Sequence, residues 1–331
     1  MLNDEAKLNH NIFSKHIEEE PTRDGYGKGL LEAGKEENIV VLTADLEDST
    51  RCQWFAKVYP QRFVECGVAE QNMVGMSAGL ALSGKIPFIN SYANFCPGRT
   101  WEQIRTVICY NNANVKIAGH HAGISVGPDG ATHQATEDIA LMRALPNMKV
   151  VVPCDGIEAQ KATLSIANIF GPTYIRLQRE KTPIMTTKET PFVFGKSYVL
   201  WQSKKKNLDV LVVGVGPILT NALLAAKDLE KDGIGVVVLN SHTIKPLDGK
   251  EILKWAKKIG AVVTVEEHNI IGGLGGAVSE FLSESYPVPI ERVGIRDVFG
   301  ESGKPEELIK KYHLDKKDIE SAVRRVIKMK S

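Results

Sequence analysis

Two stretches of this chain concentrate side chains that can move protons. Residues 119–138, GHHAGISVGPDGATHQATED, carry His120, His121, Asp129 and His133 among three spaced glycines, Gly123, Gly127 and Gly130. Imidazoles and carboxylates act as general acids and bases. Glycines let the backbone turn tightly around a ligand. The stretch also reads as a hydrogen-bonded surface loop, and His120 as a strand-end residue. His133, just before a helical pattern, is the better catalytic candidate. Residues 65–75, ECGVAEQNMVG, place a lone carboxylate, Glu70, where an apolar Gly- and Ala-rich helix begins. An acid there suits the helix macrodipole; the alternative is chemistry in a buried site.

Two further stretches are suited to binding. INSYANFCPGRTWEQIR (89–105) sets Tyr92 and Phe95 three apart at a strand end. They pack in the core, or they form a platform for a flat ring. IRLQRE (175–180) ends a strand with Arg176 and Arg179. These are solvated charges, or Arg179 clamps a phosphate, which a planar guanidinium does well. GGLGGA (272–277) looks like a dinucleotide fingerprint, but it follows EEHN late in the chain instead of the first strand of a βαβ unit. Close helix–sheet packing accounts for those glycines.

The elements that must position these residues alternate. Strand patterns occupy 38–44, 86–92, 115–120, 149–153 and 173–177, with helical patterns at 23–35, 70–83, 99–110, 134–144 and 155–168. Val- and Ile-rich runs between helices predict a mainly parallel sheet covered on both faces. Asp155, with Glu158 three residues on, predicts a helix start. Proline, threonine and a basic run break the rhythm over 186–207, a predicted linker. The pattern restarts with a strand at 208–216, a helix from Pro217, then strand, helix near 248–258, strand, and a helix from 275. The expected organisation is α/β in two domains: an N-terminal segment 1–19, a first domain 20–185, and a second domain 208–331.

Composition excludes several classes. The chain has 331 residues, is 43% hydrophobic and 24% charged, and carries a formal net charge of +1. Nothing in that balance points to nucleic acid or a membrane. No apolar run approaches the roughly 20 residues needed to span a bilayer, and the termini lack a signal-peptide pattern. Five scattered cysteines, 52, 66, 96, 109 and 154, form no C-x-x-C pair. A reduced, cytoplasmic protein is expected, with no zinc-type spacing.

Taken together, these stretches resemble transketolase, and specifically the C-terminal subunit of the split transketolases. ADLEDST (44–50), GVAEQNM, SYANF, HAGISVGPDGATHQATED, LPNMKVVVPCD and RLQR match the family's motifs along the whole chain, the THQ loop being the most specific. Tyr92 stands where the family's first Phe is usual, and Pro128 where an acid is common.

The resemblance implies a thiamine diphosphate pyrimidine-binding domain with a mostly parallel sheet, followed by a transketolase C-terminal-type α/β domain. It implies that Glu70 bonds N1′ of the aminopyrimidine, that Phe95 stacks on that ring with Tyr92 beside it, and that Asp45 lies near the thiazolium. Burial disfavours the charged form of a carboxyl, which suits a shared proton. By the same resemblance Asp129 reads a donor hydroxyl, His133 bonds the reacting oxygens, and His121 helps at the distal phosphate. Arg23, Ser49 and Arg179 grip the sugar phosphate. The implied reaction is transfer of a two-carbon ketol unit between a ketose phosphate and an aldose phosphate.

The divalent ion that bridges the cofactor's phosphates, Mg2+ or similar, needs oxygen ligands. The family's G-D-G stretch is absent here. The resemblance therefore assigns the metal to an N-terminal, diphosphate-binding partner subunit, with an α2β2 assembly in which two copies of this chain pair. No metal ligand is assigned to this chain. Two alternatives share much of the pattern: the beta subunit of a 2-oxoacid dehydrogenase-type decarboxylase, and a non-catalytic regulatory half.

Overall fold

The computed structural model describes residues 1–330. Its strands, in chain order, are β1 (Glu19–Glu20), β2 (Ile39–Thr43), β3 (Phe63–Glu65), β4 (Ile86–Tyr92), β5 (Lys116–His120), β6 (Lys149–Val151), β7 (Thr173–Arg176), β8 (Thr182–Pro183), β9 (Tyr198–Gln202), β10 (Val210–Gly214), β11 (Val236–Asn240), β12 (Thr243–Lys245), β13 (Val262–Asn269) and β14 (Ile290–Ile295). The sequences IVVLT, VLVVG and VVVLN of β2, β10 and β11 are buried at every residue. That is the condition of parallel strands covered on both faces.

Two large sheets result. The first runs β12-β6-β7-β5-β4-β2-β3, and the second β14-β13-β10-β11-β9. Every pairing within them is parallel except β12 with β6 and β11 with β9. A short antiparallel pair, β1 with β8, lies apart. This is the mixed α/β architecture expected of the two domains.

Helix Gly156–Ala167 starts as the sequence predicts: the Asp155 carboxylate accepts the Glu158 N–H at 2.8 Å. It packs on helix Thr22–Ala33, and a Cβ at Gly25 would collide with the Gly156 carbonyl. The two backbones touch because Gly25 has no side chain.

Five features differ from the sequence reading. Residues 186–207 are not all connector, because β9 forms the antiparallel edge of the second sheet. The segment 1–19 packs on the second domain, with Leu8 and Ile12 in its core and Asn3 Nδ2 donating to Val199 O at 2.9 Å. In turn β12, from the second half of the chain, closes one edge of the first sheet. The helical pattern 99–110 holds only one α-turn, Trp101–Gln103, between wider π-type turns, Asn94–Arg99 and Ile104–Cys109. Such turns gather at functional sites. The helix read at 134–144 is confined to Asp138–Arg143, because the carbonyls of Ala135 and Thr136 accept from the N–H groups of Gly123 and Asn269 instead of from a helical turn.

Candidate active site

Strands β7, β5, β4 and β2 are successive parallel neighbours, so their carboxyl ends share one edge of the first sheet. Such edges are where open α/β sheets bind ligands. Asp45 follows β2, Tyr92 ends β4 with Phe95 just beyond, His120 and His121 close β5, and Arg176 and Arg179 finish β7. Arg23 starts helix Thr22–Ala33, and Glu70 starts helix Glu70–Leu82.

A continuous run of contacts joins most of these residues. Arg23 Nη1 lies 2.9 Å from His121 Nε2 and donates to Ser49 O at 2.9 Å. The His121 ring stacks on Tyr92, centroids 4.0 Å apart and planes 23° apart. Tyr92 and Phe95 lie roughly parallel at 5.9 Å, and His133 meets Phe95 edge-on at 5.2 Å. Arg99 lies over Phe95 at 4.9 Å, and its Nη1 reaches Glu70 Oε2 at 2.9 Å. Beside this, Arg179 Nη1 pairs with Asp129 Oδ1 at 3.2 Å.

Electrostatics fix the state of His121. A guanidinium only donates, so Nε2 must present its lone pair to Arg23 and Nδ1 must carry the proton. Burial, then the charges of Arg23 and Arg179, push its pKa down to about 3. The ring is neutral. Its Nδ1 is buried with no partner, and so is Arg23 Nε. Arg23 Nε has only the Asp24 carboxylate near it, at 4.0 Å. Burial and the nearby Arg51 also lower the Arg23 pKa.

Glu70 is 3% exposed although it carries a carboxylate at a helix start. Gly67, just before that helix, has φ +67°, and a Cβ there would meet nothing within 4 Å. The acid itself is met by Arg99, whose guanidinium also lies over Phe95.

Some sequence readings change. Asp45 is exposed, its N–H donating to Glu65 Oε1 at 2.8 Å, and it touches none of the other site residues. Ser49 serves Arg23 through its backbone carbonyl. Arg176 is not a solvated charge: it is 4% exposed, its Nε 2.8 Å from Asp138 Oδ2. His120 is a core residue, edge-on to Tyr26 at 5.0 Å, and burial holds its pKa well below the usual value.

At GGLGGA the helix N-terminus receives the chain's own carboxylate. Leu274 and Gly275 N–H groups each donate to Glu266 at 2.7 Å, which fills the place a phosphate would take. Burial pushes the Glu266 pKa up to about 7 against those two bonds.

Arg99 was missed by sequence reasoning. It stands in PGRTWEQIR, four residues past Phe95, where only the aromatic spacing drew attention. A contact made across the fold leaves no local pattern.

Comparison with known proteins identifies the two domains. Residues 20–185 match the transketolase pyrimidine binding domain, and residues 200–319 the transketolase C-terminal domain. A protein of Methanocaldococcus jannaschii named as a transketolase C-terminal section is 48% identical over 90% of this chain and 93% of its own length. A 6-deoxy-6-sulfo-D-fructose transketolase subunit from a Clostridium species is 41% identical over 96% of this chain and 98% of its own. Among solved structures, a split-gene transketolase described as an inactive beta4 tetramer superposes with a TM-score of 0.85 at 46% identity, covering 94% of this chain and 99% of that one. With both domains present in family order and relatives of matching length, the chain belongs to the transketolase family, as the C-terminal subunit of a split transketolase.

Proposed function

We propose that this chain forms the pyrimidine-holding wall of a thiamine diphosphate site and, with an N-terminal partner subunit, transfers a two-carbon ketol unit between a ketose phosphate and an aldose phosphate. The observation that carries the reading is the unbroken run of contacts from Glu70 through Arg99, Phe95, His133, Tyr92 and His121 to Arg23. It links a buried acid and an aromatic face at one end to a cationic pocket at the other.

The residues fit the ring end of the cofactor. Glu70 is a buried carboxyl whose Oε2 is taken by Arg99, and Phe95 offers an apolar ring beside the same guanidinium. When bound, thiamine diphosphate supplies the nucleophilic carbon and the electron sink. Glu70 would hold N1′ through a proton shared between its carboxyl oxygen and the ring nitrogen, and Phe95 would orient the ring. His133, half-buried beside Phe95, gives and takes the proton at the sugar's reacting oxygens. His121, neutral and with a free Nδ1–H, donates a hydrogen bond to the sugar. Arg23 and Arg179 bind its anionic end, with Ser49 aligning Arg23, and Asp129 reads a hydroxyl beside Arg179.

The metal end is assigned to the partner. The reading that the partner holds Mg2+ or a similar ion follows from the resemblance to the split transketolases. A split-gene transketolase is described as an inactive beta4 tetramer, which supports partner dependence. We assign an α2β2 assembly and a cytoplasmic location; no helix among the described residues is long and apolar enough to cross a membrane.

Phosphate and sulfonate are both oxyanions that arginine binds, and one relative is named for a sulfosugar. The test mixes this chain with its N-terminal partner, magnesium and thiamine diphosphate. Two-carbon transfer is followed from xylulose 5-phosphate to ribose 5-phosphate, with 6-deoxy-6-sulfofructose as a second donor. Turnover with the phosphate donor, absent from either subunit alone, supports the reading. Turnover by this chain alone, or by the sulfosugar only, overturns it.

A further inference from the structure

The second domain lies outside the run of site contacts, yet one of its carboxylates reaches beneath the histidine loop. Glu267, near the end of β13, is 5% exposed. Its Oε1 accepts the Ser125 N–H at 2.8 Å, and its Oε2 accepts from Gln178 Nε2. Its backbone carbonyl accepts from Arg176 Nη2 at 2.9 Å. Ser125 lies in the 3-10 segment Ile124–Asp129, between His121 and His133. Gln178 precedes Arg179. A single side chain from the second domain therefore ties together the two stretches that carry His121, Asp129, His133 and Arg179.

The loop is shaped around that carboxylate. Gly123 has φ +89°, and a Cβ there would collide with Glu267 Oε1. Two further supports come from the same domain: Gln134 Nε2 donates to Glu301 O at 2.9 Å, and Asn269 N donates to Thr136 O at 2.7 Å. On its own side the loop is closed by Gly123 N–H donating to Ala135 O at 2.8 Å and tied to β7's end by Ala122 N–H donating to Leu177 O at 3.1 Å, neither of which reaches Ser125. Without Glu267 the buried Ser125 N–H would have no acceptor, and an unsatisfied buried donor destabilises the local conformation.

We propose that Glu267 is a positioning residue for sugar recognition, through which the second domain sets the geometry of the histidine loop and Arg179. This rests on the transketolase reading of the site. It gives the second domain a part in substrate binding in addition to assembly.

The experiment uses the full chain in complex with its partner, comparing wild type, Glu267→Ala and Glu267→Gln. Glutamine keeps an oxygen for Ser125 N–H, and the Gln178 amide can rotate to face its nitrogen. Glu267→Ala should raise KM for the phosphorylated ketose about tenfold, the size of one lost buried hydrogen bond, with kcat within about threefold. Glu267→Gln should stay within about threefold of wild type in both. Hydrogen exchange on the free chain gives a readout independent of activity. In Glu267→Ala the amides of 122–135 should exchange faster while β4 and β10 do not change. Unchanged KM and unchanged loop exchange in Glu267→Ala would overturn the proposal. So would faster exchange spread evenly over both domains, the mark of a merely structural residue. An inactive wild-type complex would instead sink the functional reading, and the exchange measurement would still decide this one.

Discussion

Arg99 Nη1 lies 2.9 Å from the buried Glu70 carboxylate, and the same guanidinium covers the Phe95 ring at 4.9 Å. One half-exposed arginine thus orders the two residues proposed to hold the cofactor ring. The bond is charge-assisted. It satisfies a carboxylate that is otherwise enclosed at a helix start.

Replacing Arg99 with methionine leaves that carboxylate with the helix N-terminus alone. Unfolding free energy should fall by about 1–3 kcal/mol, the range for stranding a buried polar group. Urea titration of the free chain measures it. Glu70→Gln should behave differently. Its amide oxygen still accepts from Arg99, so stability should stay within about 1 kcal/mol. Turnover of the reconstituted complex should drop at least about a hundredfold, as for loss of a proton-handling group.

Arg179 touches Asp129 and sits at the rim, half-buried. Arg179→Ala should raise KM for phosphorylated sugars about tenfold or more with kcat little changed, the pattern of lost uniform binding. Steady-state kinetics with phosphorylated and unphosphorylated ketoses check this. The unphosphorylated sugar should be indifferent to the substitution.

His121 has a folded pKa of about 3, below its ordinary value near 6.5. The unfolded chain therefore binds more protons across that window, and stability rises with pH through it. The contribution is complete above about pH 6.5 and is lost as the pH falls toward 3. His121→Gln should flatten the fall in urea midpoint between pH 6.5 and 4. The flattening should be partial, because burial also lowers the pKa of His120, and that of His268 to about 4.

Gly273 lies against the Glu266 carboxylate, and a Cβ there would collide with Oε2. Gly273→Ala should cost about 1–3 kcal/mol by overpacking, read by thermal or urea unfolding. Since Glu266 already occupies that helix N-terminus, NADH fluorescence should not change on titration with the wild-type chain.

Much of the site was legible in the sequence because its residues carry their own local signals. The histidine loop announces itself by glycines and polar residues between two regular elements. Tyr92 and Phe95 stand at a strand end, and the structure does bring them to His121 and His133. Asp45 shows the limit: it shares the strand-end position but remains outside the contacts. Arg176 shows another, since a charge at a strand end reads as solvated until Asp138 is seen against it.

By itself the sequence determined the alternating strands and helices, the cap at Asp155, the turns at the glycines, and the family. Each depends on residues near one another in the chain, where periodicity and backbone preference act. Only the tertiary structure decided that Arg99 meets Glu70, that β12 closes the first sheet, and that Glu267 reaches Ser125 across 142 positions of chain. Those contacts are made by charges and backbone groups leaving water together. Their partners are chosen by the packing of two domains, which no local window of residues records.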